Sequence, residues 1–117
     1  LPIYKSDLER RMMLYLDTTN AVIEWIYEPQ SIKYFDPIHK KTRRYYIDFT
    51  AIVKQGNVFK TVWLEIKPLC ECKKPSSNAK IQTQITWIIN QAKWQAARQL
   101  AKIKNYEFHV INETQLN

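Results

Sequence analysis

RRYYIDFTAIVKQGNVFKTVWLEIKP, residues 43–68, decides how the chain is read. Two runs rich in β-branched and aromatic residues, 43–53 and 58–67, flank a short link containing Gly56-Asn57, which predicts a β-hairpin. With the turn centred on that pair, Gln55 faces Val58, and each step outward brings further residues into opposition until Asp48 faces Glu65 and Tyr46 faces Lys67. Alternation then places Tyr46, Asp48, Thr50, Trp63, Glu65 and Lys67 on one face. Ile47, Phe49, Ala51, Val62, Leu64 and Ile66 take the other, the predicted core face. Pro68 ends the second strand.

Upstream, Ser6-Asp7-Leu8-Glu9 reads as a capping box, followed by a helix from about Asp7 to Leu16 with Leu8, Met12, Tyr15 and Leu16 as its apolar stripe. Residues 21–27 and 31–35 read as strands separated by Glu28-Pro29-Gln30, and Asp36-Pro37 opens a polar loop through Lys41. Downstream, 73–78 is a polar loop. A long helix from about Ala79 to Lys102 follows, with Ile81, Ile85, Ile88, Ala92, Ala96, Leu100 and Ile103 marking its apolar spacing, and then a strand over 106–111. Helix, three or four strands, long helix and strand predict an α/β fold, a small mixed β-sheet with flanking helices, in a single domain spanning 1–117.

The 18 Lys and Arg against 11 Asp and Glu give a net charge of +7, a balance suited to polyanionic partners, nucleic acid first and an anionic membrane surface second. No apolar stretch reaches the length needed to span a bilayer, and no signal peptide opens the chain, so a soluble intracellular protein is expected. Leu1 in place of Met suggests that the numbered chain starts inside a longer one. Cys70 and Cys72, one residue apart, read as free thiols, and their spacing from His39 and His109 matches no zinc-finger pattern.

Two carboxylates opposed across a hairpin repel, so a cation is expected between Asp48 and Glu65. A hard divalent ion, Mg²⁺ or alternatively Mn²⁺, prefers such oxygen ligands, and Lys67 adds a fixed positive charge beside it. That set suits phosphodiester hydrolysis, with the ion polarising the phosphoryl oxygen and Lys67 orienting water or countering developing charge. The same side chains also fit an ordinary solvated network on an exposed sheet face. Lys40, Lys41, Arg43 and Arg44 on one side, and Lys73 and Lys74 on the other, flank the site as candidate phosphate contacts or as solvated loop charges.

Asp48 with Glu65-Ile66-Lys67 resembles the D…(D/E)xK signature of the restriction-endonuclease-like PD-(D/E)xK superfamily. Tyr4-Lys5-Ser6-Asp7-Leu8-Glu9, Arg44-Tyr45-Tyr46-Ile47-Asp48-Phe49, Leu64-Glu65-Ile66-Lys67-Pro68 and Asn90-Gln91-Ala92-Lys93-Trp94 are similar to blocks of the phage head-completion nuclease family, itself similar to the endonuclease subunit of Tn7-like transposons. The resemblance runs over nearly the whole chain. It implies a restriction-endonuclease-like core, with Asp48 and Glu65 as metal-binding acids, the Ile66 carbonyl as a further ligand and Lys67 as the catalytic lysine. It also implies that Glu9 completes the acidic cluster, although the capping box alone explains a glutamate there. Gln91, on one stripe with Trp87, Trp94 and Arg98, is implied to face the site, whereas the tryptophans are expected to pack on the sheet. The family's proline before the aspartate is Ile47 here, which questions the local backbone more than the acid.

The function so implied is a metal-dependent DNA endonuclease that processes DNA ends during phage head completion, in the host cytoplasm or associated with the virion. Phage head proteins are the implied partners, and the active form is a monomer or a homodimer. The alternatives are a junction resolvase or transposon-end nuclease on the same core, and a non-catalytic DNA-binding virion protein.

Overall fold

The computed structural model describes residues 6–28 and 30–116. The expectations for Leu1, Tyr4, Lys5 and Pro29 lie outside the described residues. In chain order the elements are α1 (Asp7–Thr18), β1 (Val22–Tyr27), β2 (Ser31–Asp36), β3 (Lys41–Tyr46), β4 (Phe49–Gln55), β5 (Val58–Ile66), α2 (Ile81–Lys104) and β6 (Glu107–Ile111), with short 3₁₀ turns at Leu69–Glu71 and Glu113–Gln115. A mixed sheet runs β1-β4-β5-β6, antiparallel except for the β5–β6 pair, and β2 and β3 form a separate two-stranded sheet. This is the expected α/β architecture of a small mixed sheet with flanking helices. None of its described helices is long and apolar enough to cross a membrane.

The β4–β5 hairpin keeps the predicted register, from Gln55↔Val58 to Phe49↔Leu64. Gly56, at φ 62°, supplies the left-handed backbone that the turn demands. Pairing stops one step short of Asp48, because the run expected as one strand over 43–53 divides at Ile47-Asp48. Its first half pairs with β2, so Tyr46 faces Ser31 and not Lys67. The break also changes faces. Phe49 is buried against α1 with Met12, Leu16, Leu64 and Ile66, whereas Ile47 is buried on the opposite side with Trp63, Trp94 and Ala97. Ile47 therefore does not belong to the core face assigned to it by simple alternation.

Both faces of the main sheet are covered, α1 packing on one and α2 on the other. The face expected to carry the site in the open is a second core, in which Trp63 is fully buried and Glu65 is 4% exposed. The α2 stripe is likewise shifted in phase. Ile81, Ile88 and Ile103 are exposed, while Asn90, Trp94, Ala97 and Ala101 face inward. Small alanines let the helix backbone approach the sheet closely enough for the large Trp63 and Trp94 rings to fill the remaining space, a better fit than branched isoleucines at the contact. In α1 the inward residues are Glu9, Met12, Met13 and Leu16, and Tyr15 turns to solvent.

Candidate active site

Four acidic residues converge from four places in the chain. Glu9 lies in the first turn of α1, where the Ser6 hydroxyl accepts its backbone N–H at 3.1 Å. The Glu9 side chain is only 7% exposed, and its Oε2 accepts the Tyr27 hydroxyl at 3.0 Å. The cap and the inward carboxylate are thus compatible: the backbone serves the helix end while the side chain turns toward the sheet. Asp48 sits in the break between β3 and β4. Freed from the ladder, its Oδ2 accepts the Ile66 N–H at 2.8 Å, and its own carbonyl accepts the Glu28 N–H at 2.7 Å.

Those two bonds fix the local geometry. The side-chain bond ties Asp48 to the end of β5, and the backbone bond ties it to the residue that follows β1. One carboxylate oxygen from each of Glu9, Glu28 and Asp48 lies within 4.8 Å of the others. Glu28 was missed in the sequence because it looked like part of a strand break. Its φ of 48°, unusual for a residue other than glycine, turns the chain at that point, and only the folded backbone places it beside Asp48.

Glu65 approaches from the buried side. Its Oε2 accepts the Trp94 indole N–H at 3.4 Å, while Oε1 is buried without a hydrogen-bond partner among the described residues. Burial, followed by the Glu65 charge and its close carboxyl and more weakly by Glu9, raises the Asp48 pKa well above the ordinary carboxylate range; the Ile66 N–H only partly offsets this. Burial and then the Glu9 contact raise the Tyr27 hydroxyl in the same direction. Burial and then the Glu65 charge do so for Tyr45.

A buried carboxylate beside Asp48, which itself adjoins Glu9 and Glu28, is electrostatically unfavourable by itself. Hard oxygen donors of this kind fit a divalent cation, which would relieve the repulsion. Glu9, Glu28 and Asp48 therefore fit a divalent ion as a donor set, with Glu65 adjoining Asp48 from the buried side. Asp48 and Glu65 do come together as expected, but around the end of a strand and not as a cross-strand pair.

Lys67 follows β5, is half-buried, and has its backbone N–H bound to the Ile111 carbonyl at 3.0 Å. With Ser6, Glu9, Asp48, Ile66 and Glu71 it lines an open cleft of about 420 Å³. A second lysine was missed. The Lys93 ammonium lies 5.8 and 5.7 Å from the ring centroids of Tyr34 and Tyr45. Its pKa is lowered by burial and next by the Lys67 charge, with Glu65 and Asp48 opposing. Its sequence signal is the Asn90–Trp94 block, in which it stands two residues beyond Gln91. Gln91 itself is half-buried on α2, where no hydrogen bond links its side chain to the acids among the described residues.

Trp94 packs on the sheet as expected, but it also reaches Glu65. Cys70 and Cys72 are free thiols, His39 bonds Asp36 and His109 bonds Glu107, so these four do not gather into a zinc site among the described residues. Of the flanking cations, Lys40, Lys41, Arg44, Lys73 and Lys74 are exposed, whereas Arg43 is held by Asp36 at 2.9 Å.

A family model described as the TnsA-like endonuclease N terminal matches residues 19–113. The chain is also 31% identical to the head completion nuclease of Enterobacteria phage T4, in an alignment covering 94% of this chain and 77% of that protein. No solved structure matches.

Proposed function

The chain belongs to the TnsA-like endonuclease family, and from that premise we propose that it is a metal-dependent endonuclease hydrolysing phosphodiester bonds of DNA. The observation that carries the reading is the gathering of carboxylate oxygens from Glu9, Glu28 and Asp48 within 4.8 Å, with Glu65 buried beside Asp48 and with Glu9, Asp48 and Lys67 lining one cleft.

In this reading Glu9, Glu28, Asp48 and Glu65 hold Mg²⁺, or Mn²⁺ in its place, with the Ile66 carbonyl as a further ligand. When bound, such an ion polarises a phosphoryl oxygen and increases the acidity of water. The Ile66 N–H keeps one Asp48 oxygen fixed, leaving the other to face the cleft. The Trp94 indole N–H holds one oxygen of the buried Glu65 carboxylate. Lys67 orients the attacking water or stabilises negative charge as it grows on the phosphate. Lys93, cushioned by two tyrosine rings, adds a second positive charge on the same side. Gln91 remains a polar candidate on the flank of α2.

The T4 relative is named a head completion nuclease; on that ground the proposal extends to processing of DNA ends during phage head completion, with phage head proteins as partners and action in the host cytoplasm or on the virion. The second setting for the same chemistry is a junction resolvase or a transposon-end nuclease on this core. A single site of this kind cuts one strand, so double-strand cleavage by this chain would require a homodimer or two encounters.

Plasmid nicking tests the proposal. Wild-type protein is expected to nick supercoiled DNA with Mg²⁺ and to stop when the ion is chelated, and Asp48→Asn and Lys67→Ala are expected to be folded and inactive. Equal nicking by all three, or nicking that survives chelation, would refute the assignment.

A further inference from the structure

The β2–β3 hairpin has one face that the fold does not use. Its inner side chains Ile32, Tyr34 and Tyr45 are buried against α2, and Asp36 and Arg43 bond each other there. The opposite face carries Ser31, Lys33 and Phe35 from β2 and Thr42, Arg44 and Tyr46 from β3. In the hairpin register Lys33 lies directly opposite Arg44. Two like charges in that relation destabilise a hairpin, and among the described residues of β2 and β3 none on this face is acidic. At either end of the cation pair stands an aromatic ring open to solvent, Phe35 at 58% exposure and Tyr46 at 56%. Arg44 donates to the Ser31 hydroxyl at 3.0 Å, which holds the guanidinium across the strands.

We propose that this face is a platform for an unpaired DNA segment, in which Lys33 and Arg44 bind successive phosphates while Phe35 and Tyr46 stack on exposed bases. The proposal rests on the nuclease reading for the identity of the polyanion. Its own content is the strand state. Aromatic rings lying open beside cations are idle against a duplex, whose bases are stacked on one another, but every unpaired base offers a face to stack on. The two rings stand four register positions apart, roughly 13 Å along the strands, a distance that spans several nucleotides. Tyr46 precedes Asp48 by two residues, so this end of the platform adjoins the strand break that carries Asp48. The preferred substrate is therefore DNA that joins a duplex to a single-stranded tail or flap.

The test measures binding with the metal chelated, using a labelled blunt duplex and the same duplex bearing an unpaired tail of about ten nucleotides. Wild-type protein is expected to bind the tailed DNA about tenfold more tightly than the blunt DNA. Phe35→Ala with Tyr46→Ala removes that preference and leaves blunt binding unchanged, whereas the Phe35→Trp, Tyr46→Phe protein retains it. Lys33→Ala with Arg44→Ala weakens both DNAs and lowers the salt dependence by about two phosphate contacts. Equal affinity of wild-type protein for the two DNAs would overturn the platform, as would a tail preference that survives loss of both rings. Sedimentation without DNA supplies another route to rejection: a wild-type dimer that the ring-deleted protein no longer forms would assign the face to a second copy of the chain. Because the rings are exposed, far-UV circular dichroism is expected to be unchanged in every variant. Adding Mg²⁺ separates this inference from its premise. Cleavage with no tail preference sinks the platform alone, and tail-dependent binding with no cleavage sinks the nuclease reading alone.

Discussion

Asp36 and Asp48 are aspartates twelve positions apart in the chain, and their surroundings are opposite. Asp36 is 1% exposed and fully partnered: it accepts the N–H groups of Ile38 and His39 at 2.8 and 3.0 Å, faces His39 Nδ1 at 2.7 Å and pairs with Arg43 at 2.9 Å. Burial opposes its charge, but the His39 and Ile38 contacts prevail and hold its pKa well below the carboxylate range. Asp48 has one backbone donor and three acids for company, and its pKa moves the other way. The first is an acid whose charge the fold has already neutralised, fixing the β2–β3 turn. The second is an acid whose charge the described residues leave largely uncompensated, which the proposed cation would balance. Burial alone does not separate these two carboxylates; their partners do.

The largest expected difference between them is in cleavage. Asp48→Asn and Lys67→Ala are expected to lose about 10²–10³-fold or more of the Mg²⁺-dependent nicking rate, while Asp36→Asn, assayed at a temperature where it is folded, stays within about tenfold of wild type. A comparable loss in Asp36→Asn would erase the distinction. Stability reverses the order. Asp36→Ala strands Arg43 and two turn N–H groups and is expected to lower the thermal midpoint by roughly 10 °C, as read by calorimetry, whereas Asp48→Asn without metal lowers it not at all.

The pH dependence sharpens the contrast further. A depressed folded pKa gives Asp36 a stabilising contribution that is present above the unfolded carboxylate pKa and is lost as pH falls through the folded value. The raised folded pKa of Asp48 does the opposite: metal-free stability is highest below the unfolded pKa and declines as pH rises toward the folded one. Urea denaturation from acid to mildly alkaline pH should therefore give difference curves of opposite slope for Asp36→Asn and Asp48→Asn. Curves of the same slope would contradict the assigned environments. The smallest effect is expected at Trp94→Phe, which removes the long indole bond to Glu65 at a cost of about 1 kcal/mol and weakens Mg²⁺ binding a few-fold by isothermal titration.

Much of this was legible in the sequence. The Gly56-Asn57 turn and strand alternation set the β4–β5 register, which holds from Gln55↔Val58 to Phe49↔Leu64, one step before the expected Asp48↔Glu65 pair. The break at Ile47-Asp48 was not legible. A run of strand-forming residues gives no local sign that its halves pair with different partners, and the position where a proline was expected holds an isoleucine whose burial under α2 is purely tertiary. Likewise, the phase of α2 could not be read from isoleucine spacing, because alanines that permit close approach carry little hydropathic weight. Glu28 and Lys93 entered the site by the same route, through spatial proximity that no motif encodes.

The claim that the acidic cleft is built to be completed by a cation has a direct test in a crossing experiment. Wild-type protein and Asp48→Asn are unfolded at pH 8 with and without Mg²⁺. Without the ion, Asp48→Asn is expected to be the more stable by about 1 kcal/mol, because it relieves like-charge repulsion and keeps an oxygen for the Ile66 N–H. At Mg²⁺ about 100-fold above its dissociation constant, wild-type protein gains about 2.7 kcal/mol and the order inverts. The same order in both conditions, with Asp48→Asn either always ahead or always behind, would contradict the account.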